Sequence, residues 1–145
     1  MQIDFDSAAS FRVAHRKEMA VKWTIDPEDR MIVVIAEGDV TRAEVDAMLD
    51  AMQSDEVLTY RRFFDGTKAD TKMPAEDLIA LGVRMRGMHV HGGMGPLAVV
   101  VPAEKEEILE RLFGMLAAAN RPMRVFNDPV PARRWIRKQL PGSRD

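Results

Sequence analysis

The chain has 145 residues, 46% hydrophobic and 30% charged, with a formal net charge of -2. That balance suits one domain with one core, argues against a mostly disordered chain, and gives no global bias toward nucleic acid. The absence of cysteine excludes disulfides, thiolate zinc sites and cysteine nucleophiles.

No apolar run approaches the roughly 20 residues that cross a bilayer. Asp4 and Asp6 stand near the start without a long apolar stretch, which argues against a secretory signal. The expectation is therefore a cytoplasmic domain with no transmembrane segment. Residues 1–19 hold no hydrophobic period and read as an N-terminal extension. The domain proper is expected over 20–145.

Val21, Trp23 and Ile25 alternate with Lys22 and Thr24, the pattern of a half-buried strand. Asp26-Pro27-Glu28-Asp29 is turn chemistry, and the continuous apolar run Met31–Ile35 reads as a second strand paired with the first. Gly38-Asp39 breaks that strand. Thr41 and Glu44 have the spacing of a capping box, and Val45, Met48, Leu49 and Met52 form a helical stripe. Tyr60–Phe64 is a short strand, followed by a polar loop over Asp65–Met73. Pro74, Glu76 and Asp77 open the next helix, continued by Leu78, Ile79, Gly82, Val83 and Met85. Gly87–Gly95 reads as a glycine-rich loop.

Leu97–Val101 is another apolar strand. Glu104, Glu106 and Glu107 load the first turn of a helix whose apolar face is Ile108, Leu109, Leu112, Phe113 and Leu116. Met123–Phe126 is the last strand. Asp128 and Pro129 suit N-cap and N1 of the final helix, whose buried side is Ala132, Trp135, Ile136 and Leu140. The order is β-β-α-β-α-β-α-β-α. Strict alternation after the hairpin implies right-handed crossovers and a mixed, mostly parallel five-stranded α/β sheet with helices on both faces.

This order resembles the SpoIIAA-like branch of the STAS family over about 21–140. The local features are the hairpin VKWTIDPEDRMIVVIAEG, the strand end FFDG, the strand PLAVVVP and the helix start NDPVPARRWI. The resemblance implies a STAS fold and a module that binds proteins, small ligands or lipids. Well-known members are anti-sigma-factor antagonists with a phosphorylatable serine in an Asp-Ser-Ser-Gly-type motif at the helix after the third strand. This chain departs there, with Asp65-Gly66-Thr67-Lys68-Ala69-Asp70-Thr71 and no serine. Thr67 and Thr71 are the hydroxyls that remain as phosphorylation candidates.

Ligands of open α/β sheets gather at the carboxyl ends of the strands. That rule singles out Asp39 and the Asp65–Met73 loop, with Asp65, Gly66, Thr67, Lys68 and Thr71 as candidates and Lys68 and Lys72 as anion contacts. The plain alternative is a solvated connector. Among eleven methionines, Met73, Met85, Met88 and Met94 cluster around the second helix and the glycine-rich segment. They are candidates to flank a pocket for an apolar ligand or partner helix; core packing is the alternative.

His89 and His91 would project to one side of an extended chain, as two metal ligands do, but no third ligand is evident and a mobile loop explains them as well. Asp39, Asp65 and Asp128 could meet a divalent cation, although Asp65 and Asp128 also have structural roles. Arg133, Arg134, Arg137 and Lys138 suit either a solvated helix face or an anionic partner surface.

No nucleophile elbow, H-E-x-x-H, Walker loop or dinucleotide fingerprint occurs, so no catalytic residues and no cofactor are expected. The leading expectation is a non-catalytic binding or regulatory module acting through protein contacts, self-association included. The alternative is a carrier or sensor of a small apolar or lipid-like ligand. An enclosed pocket between helix and sheet would mark the carrier; an exposed apolar patch beside Asp65–Met73 would mark the protein-contact module.

Overall fold

A computed structural model describes residues 19–92, 94–116 and 122–142. The expected extension lies outside them up to residue 18. Strands are β1 (Val21–Asp26), β2 (Met31–Asp39), β3 (Arg61–Asp70), β4 (Leu97–Val100) and β5 (Met123–Phe126). Helices are α1 (Arg42–Ala51), the single turn α2 (Asp55–Leu58), α3 (Ala75–Gly92), α4 (Ala103–Leu116) and α5 (Pro129–Lys138).

The five strands lie in the order β1-β2-β3-β4-β5. β1 is antiparallel to β2, and the other three pairs are parallel. The β1–β2 turn closes on Asp26, whose Oδ1 accepts from the N–H groups of Glu28 and Asp29 at 3.0 and 3.2 Å. Each parallel step moves the same way across the sheet. Right-handed crossovers in one direction place every connecting helix on one face. α1, α3 and α4 accordingly form one layer, with α3 packed between the other two. α5 follows the last strand, is no crossover, and folds back onto β3, β4 and β5 from the other side.

Strand alternation sorts the core between the two faces. Ile32, Val34 and Ala36 pack with Met48, Leu49 and Leu81 under the three-helix layer. Leu97, Val99 and Val125 continue that face toward Leu109. Met31, Phe63, Ala98, Val100 and Phe126 point the other way, onto Ala132 and Ile136 of α5. Phe63 is 1% exposed; burying a phenylalanine side chain contributes about 1.5–3 kcal/mol. The side chains of Ile108, Leu112, Phe113 and Leu116 lie outside the described set.

Several boundaries differ from the sequence reading. β2 continues through Gly38 to Asp39, because Glu37, Gly38 and Asp39 pair with Lys68, Ala69 and Asp70. β3 therefore reaches Asp70, and most of the expected Asp65–Met73 loop is strand. A bulge sets Gly66 and Thr67 against Ala36 alone. Asp65 secures it, its Oδ1 accepting from the Thr67 backbone N–H at 3.0 Å and from the Thr67 hydroxyl at 2.6 Å.

α3 runs through Gly87 to Gly92, where a loop was expected. One glycine costs a helix only about 1 kcal/mol, which the packed layer outweighs. The capping box is half realised. Thr41 Oγ1 accepts from the Glu44 N–H at 3.3 Å, but the Glu44 carboxylate accepts instead from the backbone N–H groups of Ala20 and Val21. Leu140, expected in the core, is 83% exposed because α5 ends at Lys138.

Candidate functional site

Between the sheet and the three-helix layer lies a cavity of about 180 Å³. Val34, Phe64, Gly66, Leu97 and Val99 supply its sheet side, and Met48, Met52, Leu81, Gly82, Met85 and Leu109 its helix side. Two glycines help to leave this space. A Cβ on Gly66 would stand 2.9 Å from the Val100 carbonyl oxygen and 3.2 Å from the Phe64 ring. Gly82 contributes no side chain from α3.

Charged residues tie the layer together around the apolar interior. Arg84 of α3 holds Asp46 at 2.7 Å and Asp50 at 2.5 Å, both on α1. The hydrogen bonds Arg84 donates to these carboxylates, Asp50 first, push its pKa up. Arg42 reaches Asp77 at 3.2 Å. At the carboxyl end of β3, Asp70 meets Lys105 of α4 at 3.2 Å. The Lys105 hydrogen bond, then the Thr71 N–H, hold the Asp70 carboxyl below its ordinary pKa. Asp70, Thr71, Pro102 and Lys105 line this end of the cavity.

At the opposite end of β3, Arg62 also lines the cavity. It is 5% exposed. Its Nη2 donates to the Leu58 carbonyl at 2.9 Å and lies 3.5 Å from that of Val57; its Nη1 lies 3.3 Å from the Met52 thioether sulfur. Its Nε has no hydrogen-bond partner among the described residues. Burial pushes its pKa down to about 10, so it remains charged at neutral pH. The neighbouring Arg61 shares the unpartnered Nε but differs in having a carboxylate, since its Nη2 meets Asp29 at 3.0 Å.

Met73, Met85 and Met94 line the cavity, as do Gly66 and Thr71. Met88 packs against the adjoining core. The Thr71 hydroxyl donates to the Val40 carbonyl at 2.8 Å and accepts from the Met73 N–H at 3.0 Å. Thr67 and Lys68 are exposed on the bulged strand, and Asp39 is exposed at the end of β2. Asp65 faces the other side, where it shares a shallow groove with Val130, Arg133, Arg134 and Arg137. In that groove the Arg133 guanidinium lies 4.6 Å from the Phe63 ring centroid, and Arg137 pairs with Asp29 at 3.6 Å. The basic face of α5 thus has structural contacts of its own.

The backbone is helical at His89 and His91, so the extended geometry that would align the two rings does not hold; their side chains lie outside the described set. No group of three or more His, Asp or Glu residues suited to a metal occurs among the described residues. No helix among them is long and apolar enough to cross a membrane. Ile79 and Val83, one turn apart on α3, are 45% and 59% exposed, a small apolar patch on that helix.

Sequence reading missed Arg62. Its signal is parity. Arg62 shares its strand face with Tyr60 and Phe64, so the alternation that buries those two buries the guanidinium as well.

No protein-family model and no curated protein matches the chain. Among solved structures, the chain is similar to an uncharacterised protein of the DUF3478 family with a SpoIIAA-like fold from Shewanella loihica PV-4. The identity is 18% and the TM-score 0.54, over 81% of this chain and 92% of the other. The likeness shows the fold: this chain is a SpoIIAA-like α/β structure, as its order of elements implied.

Proposed function

We propose that this SpoIIAA-like fold serves as a non-catalytic carrier or sensor of a small apolar or lipid-like molecule. The observation that carries this reading is the cavity of about 180 Å³ between sheet and helix layer, lined mainly by Val, Leu, Met and Phe. An apolar cavity of about 150 Å³ is enough to bind benzene, so this one takes a ring or a short alkyl chain as it stands. Five methionines on its wall, Met48, Met52, Met73, Met85 and Met94, give it side chains that re-pack readily. Absence of catalysis fits the wall chemistry. Its described ionisable groups are Arg62, Asp70 and Lys105, of which the last two neutralise each other.

Methionine-methyl NMR with octan-1-ol tests this reading. The five cavity methyls are expected to shift saturably, while Met31, under α5 on the other face, stays in place. A titration that moves no cavity methyl, or moves all methyls alike without saturation, would sink the proposal. The patch at Ile79 and Val83 favours a second reading, docking of a protein partner or a second copy on α3. Two side chains make a small patch, so the cavity carries more weight.

A further inference from the structure

We infer that the ligand of this cavity is a short-chain amphiphile with a single carboxylate head, and that the head pairs with Arg62. The inference rests on the cavity reading above and adds the chemical class.

Buried charges in proteins are nearly always paired. Arg84 and Arg61 obey the rule through Asp46, Asp50 and Asp29. Arg62 is more deeply buried than either, yet no carboxylate among the described residues approaches it. Among the described residues, Nη2 is engaged by backbone carbonyls, Nη1 faces only a thioether, and Nε has no partner. Thioether sulfur is a weak acceptor. Nη1, which meets only that sulfur beside an apolar space, suits one carboxylate, which accepts a charge-assisted N–H bond from it. A phosphate dianion would bring more charge and more acceptor sites than this donor satisfies.

Charge along the cavity agrees. Asp70, the one carboxylate on the described wall, is held by Lys105. It stands eight residues along β3 from Arg62, about 26 Å at the strand rise of about 3.3 Å per residue. That separation exceeds the screening length of about 8 Å at physiological salt. The cavity therefore presents a local positive end and an apolar body. Its volume of about 180 Å³, slightly above the benzene-sized case, fits a tail of about six to eight carbons.

Isothermal titration of the full chain with octanoate, octan-1-ol and octylammonium, at one ionic strength and pH 7, tests the inference. Octanoate is expected to bind at least about tenfold more tightly than octan-1-ol, the effect of a charge-assisted hydrogen bond, and octylammonium more weakly than either. In Arg62→Met, the ratio of octanoate to octan-1-ol affinity is expected to fall to about one. Circular dichroism confirms that the variant is folded, and the wild-type comparison needs no variant. If octan-1-ol binds the wild type as well as octanoate does, Arg62 is only a cap on the α2 carbonyls. The head-group inference then falls and the cavity reading stands. If Arg62→Met keeps the octanoate preference, the head group sits elsewhere and the inference falls. If none of the three binds, the cavity reading falls with it.

Discussion

Replacing Arg62 with methionine is expected to stabilise the ligand-free protein, although it deletes the contacts to the Leu58 and Val57 carbonyls and to the Met52 sulfur. Burial lowers the guanidinium pKa from its ordinary value to about 10. At about 1.36 kcal/mol per pH unit, that drop is a penalty of about 3 kcal/mol on the charged form. Methionine removes the penalty and keeps most of the apolar stem. The Leu58 carbonyl keeps the Gly95 N–H at 3.1 Å, and the Val57 carbonyl keeps the Tyr60 N–H at 3.0 Å. Neither acceptor is orphaned. Allowing about 1.5 kcal/mol for the lost charge-assisted bond leaves a net gain of about 1–2 kcal/mol.

Urea unfolding reads that gain directly. With a slope of about 2 kcal/mol/M, the midpoint rises by about 0.5–1 M and the slope is unchanged. The sign with pH is fixed. A base with a depressed folded pKa is penalised in full below about pH 10, and the penalty lifts as the pH rises above that toward the ordinary arginine value. The difference between variant and wild type is therefore flat from pH 6 to 9. A midpoint that falls by 0.5 M or more would refute the reasoning, since the guanidinium would then be well paired. Saturating octanoate stabilises the wild type more than the variant, because only the wild type pairs the ligand head.

Gly95→Ala places a Cβ 2.2 Å from the Tyr60 carbonyl oxygen and 2.4 Å from that of Thr59, both backbone atoms. A loss of at least about 3 kcal/mol is expected in thermal melts. Gly87→Ala, in helix with nothing within 4 Å of the new Cβ, is expected to gain about 0.5–1 kcal/mol by the same measurement. Asp128 Oδ1 accepts from the Val130 N–H at 2.9 Å, so Asp128→Ala is expected to cost about 1 kcal/mol in urea unfolding. Asp70 has a depressed carboxyl pKa, so its pairing with Lys105 stabilises above the unfolded pKa and is lost as acid protonates the folded carboxylate. Carboxyl NMR should place the Asp70 midpoint below 3.8, and Lys105→Ala should move it back up.

Local chemistry made some elements legible and nonlocal pairing hid others. Asp128 and Pro129 mark the start of α5 because cap and N1 preferences act within a few residues. The β1–β2 hairpin was legible for the same reason, through Asp26 and the alternation on either side. The length of β3 was not, because Thr67–Asp70 are polar and become strand only by pairing with Glu37–Asp39. α3 ran past Gly87 because a packed layer overrides one weak helix former.

Within the site, the clustering of Met73, Met85 and Met94 around one helix pointed to the cavity wall. The cavity itself was hidden. It depends on how far the layer of α1, α3 and α4 stands from the sheet, and on Gly66 and Gly82 contributing no side chains. Arg62 was within reach of a parity argument, but its lack of a carboxylate partner depends on tertiary contacts alone.

Native mass spectrometry of the full chain, set against its denatured mass and run beside Val99→Phe, tests ligand carriage most directly. Val99 is 5% exposed on the cavity floor, so the larger ring occupies the space a ligand needs. The expected result is a small adduct on the wild type, lost on denaturing and absent from Val99→Phe. A bare wild-type mass in both modes, unchanged after incubation with octan-1-ol and octanoate, would contradict the carrier or sensor reading.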